Sequence, residues 1–233
     1  METEIPEMLA RIAGPLGVRF TFHAARMPMR TVNLAELTAM DGMADACARS
    51  LGDAQVDAVA YACLVAVLCQ GPSYAAALTG RLRAAAAEAG GEPVVVTSAT
   101  ALIDGIHALG AKRVALIAPY LRPLTDTVVG KLEAAGITVV DALSLEIASN
   151  VAVGARDPLA LVELVSRLNL HRVDAIVLSA CVQMPSLAAI PIVEAMTGLP
   201  VLSAATATTR ALLDGLGLAA SVPDAGALLR RAA

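Results

Sequence analysis

The chain has 233 residues, a net charge of −4 and an isoelectric point near 5.4; 57% of it is hydrophobic and 16% charged, with three Tyr, two Phe and no Trp. This balance excludes a disordered chain, and it offers neither the basic surface nor the stacking side chains that nucleic-acid binding needs. Mean hydropathy is +0.69, but the longest unbroken apolar run, 58–69, is about 12 residues against the roughly 20 of a membrane span, and the acidic start METEIPEM has none of the features of a signal peptide, so the expectation is a cytoplasmic protein without a membrane partner.

The pattern then alternates. A helix is predicted over 3–14, a strand over 18–25, a helix over 34–51 and a strand over 58–62. An alanine-rich helix follows over 74–89, a short strand over 93–97, and a helix over 99–109 stopped by Gly110. Next come a strand over 113–118, a helix over 123–135 stopped by Gly136, a strand over 137–141, a helix over 158–168 and a strand over 175–179. The series closes with a helix over 187–197 ended by Gly198, a strand over 200–202 and a helix over 205–216. Glycine just past a helix is the usual stop. Strands alternating with helices imply parallel βαβ units with right-handed crossovers.

Two of these strands end on cysteine. VDAVAYAC (56–63) and VDAIVLSAC (173–181) each carry a continuous, mainly apolar run after the Asp, as strands buried on both faces of a parallel sheet do. Ligands of open α/β sheets bind beyond the carboxyl ends of such strands, which puts Cys63 and Cys181 where chemistry is done. The likeness continues downstream, where GEPVVVTSATA (91–101) matches GLPVLSAATA (198–207). The chain is therefore read as a duplicated α/β lobe: residues 1–110 form an N-terminal lobe, residues 111–204 a C-terminal lobe, and a C-terminal helix within 205–233 is assigned to the first. The fold expected is α/β, two pseudo-symmetric lobes, each a parallel sheet flanked by helices. The second lobe opens with the strand RVALIAPY (113–120) before its first helix, whereas the first opens directly on a helix, so the first lobe is expected to lack its N-terminal strand.

Cys47 and Cys69 have the simpler reading of small buried hydrophobes. No Cys-x-x-Cys occurs, the three histidines (His23, His107, His171) are scattered, and neither a Walker loop nor a dinucleotide fingerprint is present. Spacing thus points to no metal site and no nucleotide cofactor.

Four segments together are similar to maleate cis–trans isomerase of the Asp/Glu racemase superfamily: ACLVA (62–66), IAPYLRPLT (117–125), SNVAVG (149–154) and LSACVQMPS (178–186). The resemblance spans nearly the whole chain. It implies isomerisation of maleate to fumarate without cofactor or metal, in a homodimer whose partner is a small dicarboxylate. It assigns the nucleophile to Cys63 and the second catalytic thiol to Cys181. It places Tyr120 and Asn150 against substrate carboxylates, with backbone amides of Leu64, Val65 and Val182 as further donors. Family members open with a strand ending in Pro-Ser-Ser-Asn, which has no counterpart here. Two alternatives stand beside this reading. An amino-acid or hydantoin racemase would use the same two thiols as opposed bases, although the apolar Leu64 and Val65 after Cys63 suit a planar alkene better than an ammonium group. An inactive relative would bind a dicarboxylate only.

Overall fold

The computed structural model describes residues 2–71 and 73–230. It opens with α1 (Glu4–Leu16), whose buried Ile5, Met8, Leu9 and Ile12 recur at helical spacing. Helix α2 (Leu34–Asp41) starts where the Asn33 side chain accepts the Glu36 amide, and α3 (Ala44–Asp53) follows directly. Strand β1 (Ala58–Tyr61) leads into the short α4 (Leu64–Leu68), then α5 (Tyr74–Glu88), β2 (Val94–Thr97) and α6 (Ser98–Ala108). The second half runs β3 (Arg113–Ala118), α7 (Arg122–Ala134), β4 (Thr138–Ser144), α8 (Asn150–Gly154), α9 (Ala160–Val165), β5 (Ala175–Ser179), α10 (Ile190–Thr197), β6 (Val201–Ser203) and α11 (Ala204–Gly215).

The strands form two parallel sheets, β1-β2 and β4-β3-β5-β6. Every residue of β5 and five of the six in β3 are buried, which is why these strands read as unbroken apolar runs. The repeat is visible in the register: β1 lies on β2 as β5 lies on β6. Thr97 at the end of β2 and Ser203 at the end of β6 each cap the next helix with a side-chain oxygen. Those two helices, α6 and α11, pack on each other. Gly105 permits the close approach, since a Cβ there would lie 3.0 Å from Leu228 Cδ2 and 3.2 Å from Ala207 Cβ. The stops at Gly110, Gly136 and Gly198 hold as read, with φ of 70°, 82° and 69°.

Several expectations need correction. Residues 18–30 form no strand. In the second half, the matching strand β4 is paired to β3, whereas in the first half β1 pairs only with β2 among the described residues, so 18–25 has no neighbour to bond with. The helix read over 34–51 breaks at Gly42, where α2 ends and α3 begins. Two short helices were not read at all: α4 is wholly apolar and looks like continuing strand, and α8 lies where SNVAVG suggests a turn. The helix over 158–168 shrinks to α9, and the stretch before α10 is a 3₁₀ turn, Leu187–Ala189. Beyond α11 the C-terminal region has only the 3₁₀ turn Ala227–Leu229 among the described residues, and residues 231–233 lie outside them. No helix among the described residues is long and apolar enough to cross a membrane.

Candidate active site

Strand β1 ends at Tyr61, and the chain turns at Cys63 into α4. Cys63 is extended (φ −112°, ψ 90°) and is the residue before the first helical turn, so the helix's first amides point back toward it. The Ala66 amide near its sulfur favours the thiolate. Burial works more strongly the other way. Together with the nearby Cys181, Cys69 and Asp41, it pushes the thiol up to about 12. Cys181 occupies the matched position after β5. Ala180 is held by its amide to Ile117 O at 2.9 Å, and the Ser179 hydroxyl lies within reach of both Cys181 O (2.8 Å) and Met184 O (3.2 Å), fixing the loop that carries the thiol.

Tyr120, two residues beyond β3, is near both cysteines. It is buried, and its hydroxyl donates to Ala180 O at 3.0 Å. Burial above all, and then Cys181 and Cys63, keep its phenol protonated well above the ordinary range. The resemblance to maleate cis–trans isomerase implies that this hydroxyl meets a substrate carboxylate. In the structure its proton is committed to the backbone beside Cys181.

Asn150 opens α8. Its side-chain amide donates to Met29 O at 3.2 Å, its backbone amide to Arg30 O at 3.0 Å, and its carbonyl accepts Gln183 Nε2 at 2.8 Å. These bonds belong to a strap. Thr31 bridges Ser149 in antiparallel fashion, and the Val32 amide donates to Ala148 O at 3.0 Å. The Glu36 carboxylate accepts the Arg30 and Thr31 amides at 2.7 and 2.8 Å. One hydrogen of the Asn150 amide group is not used in the Met29 contact.

Cys63, Leu64, Val65, Tyr120, Asn150 and Cys181 all line one cavity of about 830 Å³. It runs along the edge of β1 opposite β2, with residues 19–27 on its far side. Val182 is buried in the loop after Cys181 and is not part of this lining. Gln183 lines the cavity as well and was not singled out from the sequence, although it is the one amide side chain in the loop after Cys181. Cys47 lies on the α3 wall, its thiol raised by burial. Cys69 caps the far end of α4; burial raises its thiol and Lys131 opposes that rise.

Paired cysteines at equivalent strand ends of a duplicated parallel α/β fold define an Asp/Glu racemase-like protein. The pattern of the family described as arylmalonate decarboxylase matches residues 13–229, and the chain belongs to that family. It is 53% identical over 230 residues to a maleate isomerase of Geobacillus stearothermophilus, covering 98% of this chain and 92% of that protein. Among solved structures, a cysteine-to-alanine variant of the maleate isomerase Iso from Pseudomonas putida S16, with maleate, superposes with a TM-score of 0.95 at 50% identity, covering 98% of this chain and 91% of that one. A cysteine-to-serine variant of the Nocardia farcinica maleate cis–trans isomerase, with a covalently bound succinylcysteine intermediate, superposes with a TM-score of 0.94 at 42% identity, covering all of this chain and 94% of that one.

Proposed function

We propose that this chain converts maleate to fumarate without a cofactor, with Cys63 as the nucleophile. The supporting observation is the convergence of Cys63 and Cys181 on one cavity in a chain so similar to maleate isomerases.

Rotation about C2–C3 of maleate requires the double bond to become single for a time. The Cys63 thiolate adds to C2, forming a C–S bond. The π electrons move to C3 and into its carboxylate as an enediolate. The C2–C3 bond then turns, the electrons return, the C–S bond breaks, and fumarate leaves with the thiolate restored. This is covalent catalysis by an activated nucleophile. A relative that retains a succinylcysteine when one of its cysteines is serine fits a scheme in which one thiol carries the carbon skeleton and another completes the cycle.

The difficulty is charge: a thiolate and two carboxylates share one cleft, and each raises the cost of the others. The Ala66 amide holds the sulfur anion. The amides of Leu64 and Val65 at the start of α4, and the remaining hydrogen of the Asn150 side chain, face carboxylate oxygen. Val182 would contribute from the opposing loop. Donors aimed where the enediolate charge develops are worth about 3 kcal/mol each. Tyr120 contacts a carboxylate by turning its hydroxyl away from Ala180 O. Cys181 works from the opposite wall as acid or base, taking the proton that Cys63 must lose and returning it at the end of the cycle. Leu64 and Val65 give the alkene an apolar seat, which an ammonium-bearing racemase substrate would not find. The homodimer, the cytoplasmic location and the division into lobes at residue 110 belong to the same proposal.

The test is direct. Maleate added to the protein gives the fumarate signal in proton NMR, and Cys63→Ala abolishes it. Intact mass of the working enzyme shows a substrate adduct that maps to Cys63. Wild-type turnover in Cys63→Ala overturns the scheme.

A further inference from the structure

We propose that Asp41 is a positioning residue for Cys63, its carboxylate tying the strand that leads into the thiol to the helix that follows it. The inference rests on the reading of Cys63 as nucleophile.

Asp41 is the last residue of α2. A carboxylate there opposes the helix dipole, and this one is also buried, with 7% of its surface exposed. Such a group persists only when its lone pairs are satisfied, and here three donors from two other elements converge on it. Tyr61 Oη on β1 donates to Oδ1 at 2.8 Å. Tyr74 Oη, at the start of α5, donates to Oδ2, and Arg81 Nη2, two turns along α5, does so at 3.1 Å. Arg81 also pairs through Nε with Asp45 of α3 at 2.7 Å. Burial alone would raise the Asp41 carboxyl, but the Tyr74, Tyr61 and Arg81 contacts outweigh it and keep the group ionised.

The location gives this cluster its meaning. Tyr61 precedes Cys63 by two residues and ends the strand that leads to it. Tyr74 begins the helix that follows the Cys63 segment. Helix α2 itself packs on α4, which begins at the residue after Cys63. One carboxylate therefore pins both ends of the segment that carries the nucleophile. It also sets a fixed negative charge near a thiol that already faces Cys181, Cys69, Tyr61 and Tyr120. Asp41 itself faces Tyr61, Tyr74, Arg81 and, through Arg81, Asp45. Position and charge thus act in opposite senses on Cys63: the anchoring helps turnover, and the charge adds, after burial, Cys181 and Cys69, to what keeps the thiol protonated.

That opposition gives the test. In Asp41→Asn the charge is gone and the anchoring is weakened. We expect kcat for maleate to fall roughly tenfold to a hundredfold, as for a small misplacement of a reacting group, with KM little changed. We expect Cys63, followed by iodoacetamide labelling and peptide mass spectrometry at pH 9, to alkylate faster than in the native protein. Tyr74→Phe keeps the charge and removes one of its donors, so kcat falls while alkylation slows. A folded Asp41→Asn with wild-type kcat and wild-type alkylation, changed only in melting temperature, overturns the inference. Where Asp41→Asn does not fold, unchanged kcat and labelling in Tyr74→Phe do the same. Labelling reads Cys63 without any need for turnover, so a native protein that fails to isomerise maleate overturns the functional reading and leaves this test standing.

Discussion

A thiol held near 12 is almost wholly protonated at neutral pH, with roughly one molecule in a hundred thousand ionised. Cys63 in the free protein is therefore a guarded nucleophile. Its labelling by iodoacetamide is expected to rise about tenfold per pH unit from pH 8 to 10 without a plateau; a plateau below pH 9 would show a thiol already ionised. Stability follows from the same shift. The folded pKa lies above the ordinary 9.0, so the native state holds the proton more tightly than the unfolded chain. The contribution is intact below pH 9 and is lost as pH rises from 9 toward 12. Urea midpoints are expected to fall less steeply over that interval in Cys63→Ala than in the native protein, and parallel curves would refute the linkage. The placement of Cys63 and Cys181 was legible in the sequence because strand length and the repeat both end on them. The hydroxyl partner of Tyr120 was not, because Ala180 O comes near only when β3 and β5 pair. Asp41 gave only a weak signal, an acid at the end of an apolar helix, and its three donors lie 20 to 40 residues further along the chain.

Elements were legible where a full period of burial fitted inside them. Helices α6, α7 and α10 carry a stripe and a stop, and strands β3 and β5 carry unbroken apolar runs. Helices α4 and α8 have five residues each, too few for any period to show. The strand expected over 18–25 had the right composition and no partner, and composition does not form a ladder. How elements are tied together was likewise hidden. Glu4, the first residue of α1, is buried and reaches the far half of the chain, accepting the Ser186 amide at 2.6 Å and the Leu187 amide at 2.5 Å where the chain turns toward α10. Glu4→Ala leaves two buried amides without an acceptor, and a loss of about 2 kcal/mol in unfolding free energy is expected, read from urea denaturation. Glu4→Gln keeps an acceptor oxygen and should lose less. Equal and negligible losses in both would mean that water replaces the carboxylate.

At the scale of the molecule, duplication was the most legible property, since two cysteine-ended strands and two downstream segments match by eye. What joins the halves was not. The α6–α11 contact at Gly105 and the strap from Met29 to Val32 against Ala148–Asn150 bring together residues about 100 positions apart. The strap borders a cavity far larger than a four-carbon diacid. At about 830 Å³ it has room for water beside a bound substrate. Water admitted to such a cavity exposes the carbanion to a competing fate. Protonation at C3 by solvent, instead of expulsion of sulfur, leaves a saturated thioether that has no route back, with Cys63 capped as a succinyl derivative. Each enzyme molecule would then complete a finite number of turnovers, progress curves would bend before substrate is exhausted, and in deuterium oxide the capped thiol would carry one non-exchanging deuteron beside the attached carbon.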